Sequence, residues 1–276
     1  MTTTTPGPHQ AIAANTTRER FCTALFDALW QTYRERVPYV QTYEEVVAGA
    51  GAKFVNDHIA FRTIAAQTPT TGIITLARIF LALGYQPAGS YQFPDKQLSA
   101  VHFQHANPQF PKLFISELKT WELTPTTRAA VADTVSKHAP MLPLETLAQL
   151  QQLDQQESPP VALLEQIVAY FQTLPWPAVE KKLVEAVNKE SQYAAWVLVH
   201  GYNVNHFTSL INSHGVPALD DIEKTVAALT KAGVPMKKEI EGERGSKLRQ
   251  TATEAVSSEV PILVQGQPAT LTCPYA

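Results

Sequence analysis

The stretch YNVNHFTSLI, residues 202–211, sets a histidine inside a strand-like run that leads into a helix, and NDHIAFRTI at 56–64 does the same earlier in the chain. The helix after the second stretch, ALDDIEKTVAALTKAG, carries Leu219, Ile222, Val226 and Leu229 on one stripe and stops at Gly233. The helix after the first, TTGIITLARIFLALGY, carries Ile73, Leu76, Phe80 and Leu83 and stops at Gly84. His58 precedes its glycine by 26 residues and His206 by 27. A repeat of this length with histidine at the equivalent place in each copy is stronger evidence than either half. Short apolar or alternating runs follow each helix. They are SAVHFQHA and KLFISEL in the first copy, and VPMKKEIEG, KLRQTATEAV, VPILVQ and ATLTCPYA in the second. The expectation is an α+β fold of two pseudo-symmetric βαβββ modules forming an open curved sheet or barrel.

Around the repeat, Phe21, Leu25 and Leu29 predict an amphipathic helix over 17–36, ending near Pro38. Leucines at 144, 147 and 150, then Leu163, Ile167 and Phe171, predict a helical insertion between proline breaks. The organisation expected is a disordered tail over 1–16 and a single domain over 17–276. The domain divides into a first module (17–120), the insertion (121–195) and a second module (196–276) incomplete at its C-terminal end.

In an extended NDHIAFRTI, side chains alternate, so His58, Ala60 and Arg62 share one face. An imidazole able to bind metal and a fixed cation four positions on suit a small anionic substrate held at a metal. Taken alone, the strand favours the plainer reading, a solvent face that happens to carry both. The recurrence at His206 reverses that preference.

Two such modules resemble the glyoxalase and extradiol dioxygenase type, in which the first strands lie near the pseudo-dyad. His58 and His206 are then expected to converge from opposite sides on one cavity, where two imidazoles and a carboxylate would make a non-haem ferrous site. More specifically, NDHIAFRT, FISEL, GYNVNHFT and GSKLRQT, in that order, resemble the DUF1338 family of 2-oxoadipate dioxygenase/decarboxylases over most of the chain from about residue 20. The resemblance implies an Fe(II) enzyme that takes a 2-oxo dicarboxylate and O2, releases CO2 and leaves a 2-hydroxy acid. It implies His58 and His206 as iron ligands and Arg62 as the clamp for the substrate carboxylate, and it makes Gln250 a candidate pocket residue. The family's third ligand, a glutamate, is expected just past Ala276, with Glu117 in FISEL as the fallback. Two alternatives stay open: a metal-dependent lyase or isomerase of glyoxalase type, and a non-enzymatic module that binds a small molecule.

Composition narrows the field. A net charge of −3 without a Lys/Arg cluster argues against a nucleic-acid partner. No apolar run reaches the about 18 residues of a spanning helix. Cys22 and Cys273 lie at opposite ends, so no disulfide framework is expected and a reducing, cytoplasmic setting fits, with an organellar address open. No GxSxG, phosphate loop or dinucleotide fingerprint occurs. His102 and His105 face opposite ways on a strand, so at most one lines a cavity. His9, His138 and His214 read as surface or loop positions, and Glu241 and Glu243 as a solvated loop.

Overall fold

The computed structural model describes residues 6–246 and 248–275. Helix α1 (Thr17–Arg36) begins where Thr16 accepts a hydrogen bond from the Glu19 amide, meeting one orphan donor at its start, and the Glu19 carboxylate accepts from the Asn15 amide and so fastens the chain that enters it. It buries Phe21, Leu25 and Leu29 as the stripe predicts. A second helix, α2 (Tyr39–Gly49), follows Pro38.

The first module then runs β1 (Asn56–Gln67), β2 (Thr70–Thr71), α3 (Ile73–Ala82), β3 (Tyr85–Phe93), β4 (Leu98–His105) and β5 (Lys112–Lys119). Five helices follow: α4 (Pro125–Val135), α5 (Leu144–Gln151), α6 (Val161–Gln172), α7 (Lys181–Asn188) and α8 (Gln192–His200). The second module supplies β6 (Val204–Ser209), α9 (Ile222–Lys231), β7 (Val256–Val264) and β8 (Gln267–Tyr275). Gly84 and Gly233 end α3 and α9 with φ of 97° and 88°, a conformation that side chains with a Cβ avoid.

The main sheet has the order β2-β1-β5-β4-β3, and β6 pairs with β1. β1 is parallel to β5 and antiparallel to β6. One face is the core: Ile59 and Phe61 of β1 and Leu113 and Ile115 of β5 are buried there. The Phe61 ring lies 5.4 Å from Phe80 of α3 and 5.2 Å from Phe171 of α6. On the other face lie His58, Ala60 and Arg62, with Phe114 and Ser116 of β5 in register beside them. That face is closed at one end by α8, where the Tyr193 hydroxyl accepts from the Thr63 amide and bonds Ser116 Oγ. Ile64 and Leu118, further along the same parity, are buried. The architecture is mixed α+β with an open curved sheet.

Three expectations are corrected. Residues 1–5 of the expected tail lie outside the described residues, but Pro8–Ala11 form a 3-10 turn and His9 is 1% exposed, so this stretch is packed and His9 is not a surface residue. His214 is likewise buried, held by the Lys53 carbonyl and the Tyr43 hydroxyl. Lys247 lies outside the described residues; among the described ones, the strands expected over 234–242 and 248–255 reduce to isolated bridges, Met236 with Thr253 and Glu241 with Gln250. Lys237, Lys238, Glu239, Glu243 and Arg244 offer no apolar face to bury, and Gly242 and Gly245 turn the chain at positive φ. β7 and β8 instead pair as a separate hairpin.

Candidate active site

The site is built on two defects in the β1–β6 ladder. Asn56 pairs with Ser209 and His58 with Thr208, so Asp57 is an extra residue on β1; Ala60 pairs with His206 and Phe61 with Val204, so Asn205 is an extra residue on β6. Such bulges re-aim side chains near functional sites. Each extra residue turns onto the histidine that follows it: Asp57 Oδ2 lies 2.9 Å from His58 Nδ1, and Asn205 Oδ1 lies 3.0 Å from His206 Nδ1. An acceptor on Nδ1 fixes the tautomer and leaves Nε2 as the lone-pair nitrogen, the arrangement found behind metal-binding imidazoles. His58 Nε2 accepts from the Thr208 hydroxyl at 2.9 Å. The His58 hydrogen bond, with Lys112 at 3.2 Å, holds the Asp57 carboxyl below its ordinary range.

His58 and His206 meet as neighbours on one sheet face, with ring centroids 5.5 Å apart and planes at 75°, because their strands pair directly. The expected approach from opposite walls is thus replaced by side-by-side placement. Burial, reinforced by the nearby His58, Arg62 and Lys237, pushes His206 down to about 3, so it is neutral and able to donate its lone pair.

Arg62 lies on the same face. Its guanidinium sits over Tyr193 at 5.1 Å and Trp196 at 5.0 Å, both from α8. No carboxylate pairs with it among the described residues. Burial lowers its pKa from the ordinary value. A largely buried cation without a counter-ion is costly unless an anion completes it.

A cavity of about 590 Å³ is lined by His58, Arg62, His206, Lys237, Glu241 and Gln250, among others. Gln250 reaches it from the bridged loop and donates to Glu241 Oε2 at 2.7 Å. Glu241, expected in a solvated loop, is in a loop and exposed, yet it lines this cavity. Glu117 does not belong to the site. Its parity places it on the core face, and its carboxylate accepts from the Ile73 amide at 2.8 Å, capping α3. The third carboxylate expected past Ala276 lies outside the described residues, and among the described residues no group of three His, Cys, Asp or Glu could hold a metal. The donor set fits a metal in part: two pre-oriented imidazoles suit iron, zinc, copper or nickel.

Sequence reasoning missed Asp57, Asn205, Thr208, Tyr193 and Trp196. The available signal was the Asp or Asn immediately before each repeated histidine.

A family profile described as 2-oxoadipate dioxygenase/decarboxylase matches residues 25–275. A chloroplastic 2-oxoadipate dioxygenase/decarboxylase of Arabidopsis thaliana is 28% identical over 234 residues, 80% of this chain and 57% of that protein. The chain therefore spans a little over half the length of that relative. The crystal structure of a glyoxalase superfamily protein from Ralstonia eutropha superposes with a TM-score of 0.83 at 25% identity, covering 95% of this chain and 82% of that one. The rice hydroxyglutarate synthase solved with 2-oxoadipate superposes at 0.74 over 100% of this chain and 84% of that one, at 24% identity, a likeness of fold. With the repeated histidine strands, the open α+β sheet and a profile match over nearly the whole length, the chain belongs to the 2-oxoadipate dioxygenase/decarboxylase family.

Proposed function

We propose that this chain forms the catalytic centre of an Fe(II)-dependent dioxygenase/decarboxylase acting on a 2-oxo dicarboxylate, with 2-oxoadipate as the substrate its relatives' names suggest. The reaction balances as 2-oxoadipate plus O2 giving 2-hydroxyglutarate plus CO2. The observation that carries the reading is the unpaired guanidinium of Arg62 on the same face as two oriented imidazoles.

His58 and His206 would hold the iron, which when bound supplies dioxygen activation. Asp57 and Asn205 keep the Nε2 lone pairs turned to the site. Arg62 receives the substrate's distal carboxylate through a bidentate pair, its plane stabilised by Tyr193 and Trp196. The wall made by α8 excludes water from that pair and strengthens it. Gln250, an amide at the cavity wall, offers a donor to the remaining substrate oxygens once it leaves Glu241.

The test is oxygen uptake and CO2 release after anaerobic loading with Fe(II), across 2-oxo acids of graded length. Uptake that peaks at one dicarboxylate length supports the reading. Turnover of the oxo acid without oxygen uptake replaces it with the lyase reading. Arg62→Lys keeps the charge but loses the planar fork, and should lower kcat/KM for the dicarboxylate about 10–100-fold with iron still bound. Wild-type kcat/KM in that variant removes the clamp.

A further inference from the structure

We infer that His9 is a positioning residue for the histidine pair, acting through Asn56 on the β1–β6 junction; this rests on the reading of His58 and His206 as a metal pair. The three residues Asp27, His9 and Asn56 form a buried chain from α1 to β1, at 7%, 1% and 7% exposure. Hydrogen-bond polarity fixes its sense. Asn56 Nδ2 donates to the carbonyls of His58 and Thr208, both at 2.9 Å, one on each strand across the register shift at Asp57. Its Oδ1 must therefore face His9 Nε2, at 3.0 Å, and that nitrogen donates. His9 Nδ1 in turn lies 2.9 Å from Asp27 Oδ1, which also accepts from the His9 amide at 3.2 Å.

Both ring nitrogens thus face side-chain oxygens, and the ring lies 5.6 Å from Phe26, 6.0 Å from Phe207 and 6.2 Å from Trp30. The segment can reach this place because residue 7 is glycine: a Cβ there would collide with the Asp27 carboxyl group. A buried, hydrogen-bonded polar chain of this kind penalises alternatives, since any of them leaves its members unpaired. The alternative here is specific. A one-residue slip of β1 against β6 would turn His58 to the core face, and the bulge that aims Asp57 at His58 is the weak point where such a slip starts. With His9 in place, the Asn56 amide cannot flip and the two carbonyls stay pinned.

The test uses the full chain and Co(II) without substrate, comparing wild type, His9→Gln, Asp27→Asn, His58→Ala and a core control, Leu25→Ala. Wild type should bind Co(II) and His58→Ala should not; failure of either removes the metal reading itself. Given binding, His9→Gln should raise the Kd at least about 10-fold, shift the visible Co(II) spectrum, and speed amide exchange at 58–60 and 204–208. The Leu25→Ala control should lower Tm with Kd and spectrum unchanged. Unchanged Kd, spectrum and exchange in folded His9→Gln overturn the inference, as does an equal loss of affinity in the control. Should His9→Gln not fold, Asp27→Asn, which keeps the side-chain volume, is read by the same criteria. If the metal reading fails, faster exchange at those amides in His9→Gln still supports the clamp and unchanged exchange still overturns it.

Discussion

At the residue scale, the site depends on which nitrogen each histidine presents, and in both strands the residue just before the histidine makes that choice. The two are not equivalent. Asp57 brings a full charge and a Lys112 partner, whereas Asn205 brings a neutral amide whose own Nδ2 is buried without a hydrogen bond among the described residues. A carboxylate behind an imidazole strengthens it as a metal ligand, so in the proposed pair His58 would be the stronger donor. Asp57→Asn keeps an acceptor but removes the charge, and should weaken Fe(II) or Co(II) binding by about 10-fold or more with Tm little changed. Titration of the metal into apo protein measures this, and equal affinity in the variant would show that the charge is not used. The histidines and Arg62 were legible from the sequence because they sit at fixed places in a repeat and alternate cleanly along one strand. Their aiming residues were not, since a bulge is a register mismatch between two strands and neither strand records it alone.

At the scale of elements, the helices and long strands followed from local pattern. The α1 and α3 stripes, and the glycines that stop α3 and α9, appear as the spacing predicts, whereas α9 starts later than expected, at Ile222 behind the Asp221 cap, so that Leu219 precedes it and its buried face is Ile222, Thr225 and Leu229. The bridged segment over 234–254 and the role of Glu117 did not. Glu117 has the right chemistry for a ligand, but strand parity sends it to the other face, where α3 offers an uncapped N-terminus. Gly72 makes room for this contact: it sits at φ 124°, and a Cβ there would collide with Glu117 Oε2. Glu117→Ala should therefore cost about 1–2 kcal/mol of stability while leaving metal affinity at the wild-type value. Thermal unfolding and a Co(II) titration separate the two roles, and lost affinity at unchanged Tm would restore Glu117 as a ligand.

At the scale of the whole molecule, the insertion joins the modules. Helix α8 puts Trp196 under Arg62 on one side and against Tyr275 of β8 on the other, at 5.8 Å, while the Tyr275 hydroxyl bonds the Val204 carbonyl at the start of β6. His200 ends α8 inside this junction, 3% exposed, with its ring 4.6 Å from Trp196 and its Nε2 3.5 Å from Cys273 Sγ. Burial, with the Arg36 and Arg62 cations adding to it, pushes His200 down to about 4 from an ordinary 6.5. The sign of the consequence follows from proton counting. Above pH 6.5 the ring is neutral folded and unfolded, and His200 adds no slope. Between 6.5 and 4 the unfolded chain binds a proton that the folded chain refuses, so stability falls as the pH falls, and the loss is complete below 4. The total is at most about 3 kcal/mol. His206 adds a loss of the same sign in the metal-free protein, extending lower, so the contribution of His200 is read as a difference between two proteins. Urea midpoints of apo wild type and His200→Gln, taken from pH 7 to pH 4, should converge as the pH falls, with the variant showing the shallower dependence. Parallel curves would mean that the junction admits the charged ring, through water or by opening. The tie between β8 and the wall behind Arg62 would then be looser than its packing implies.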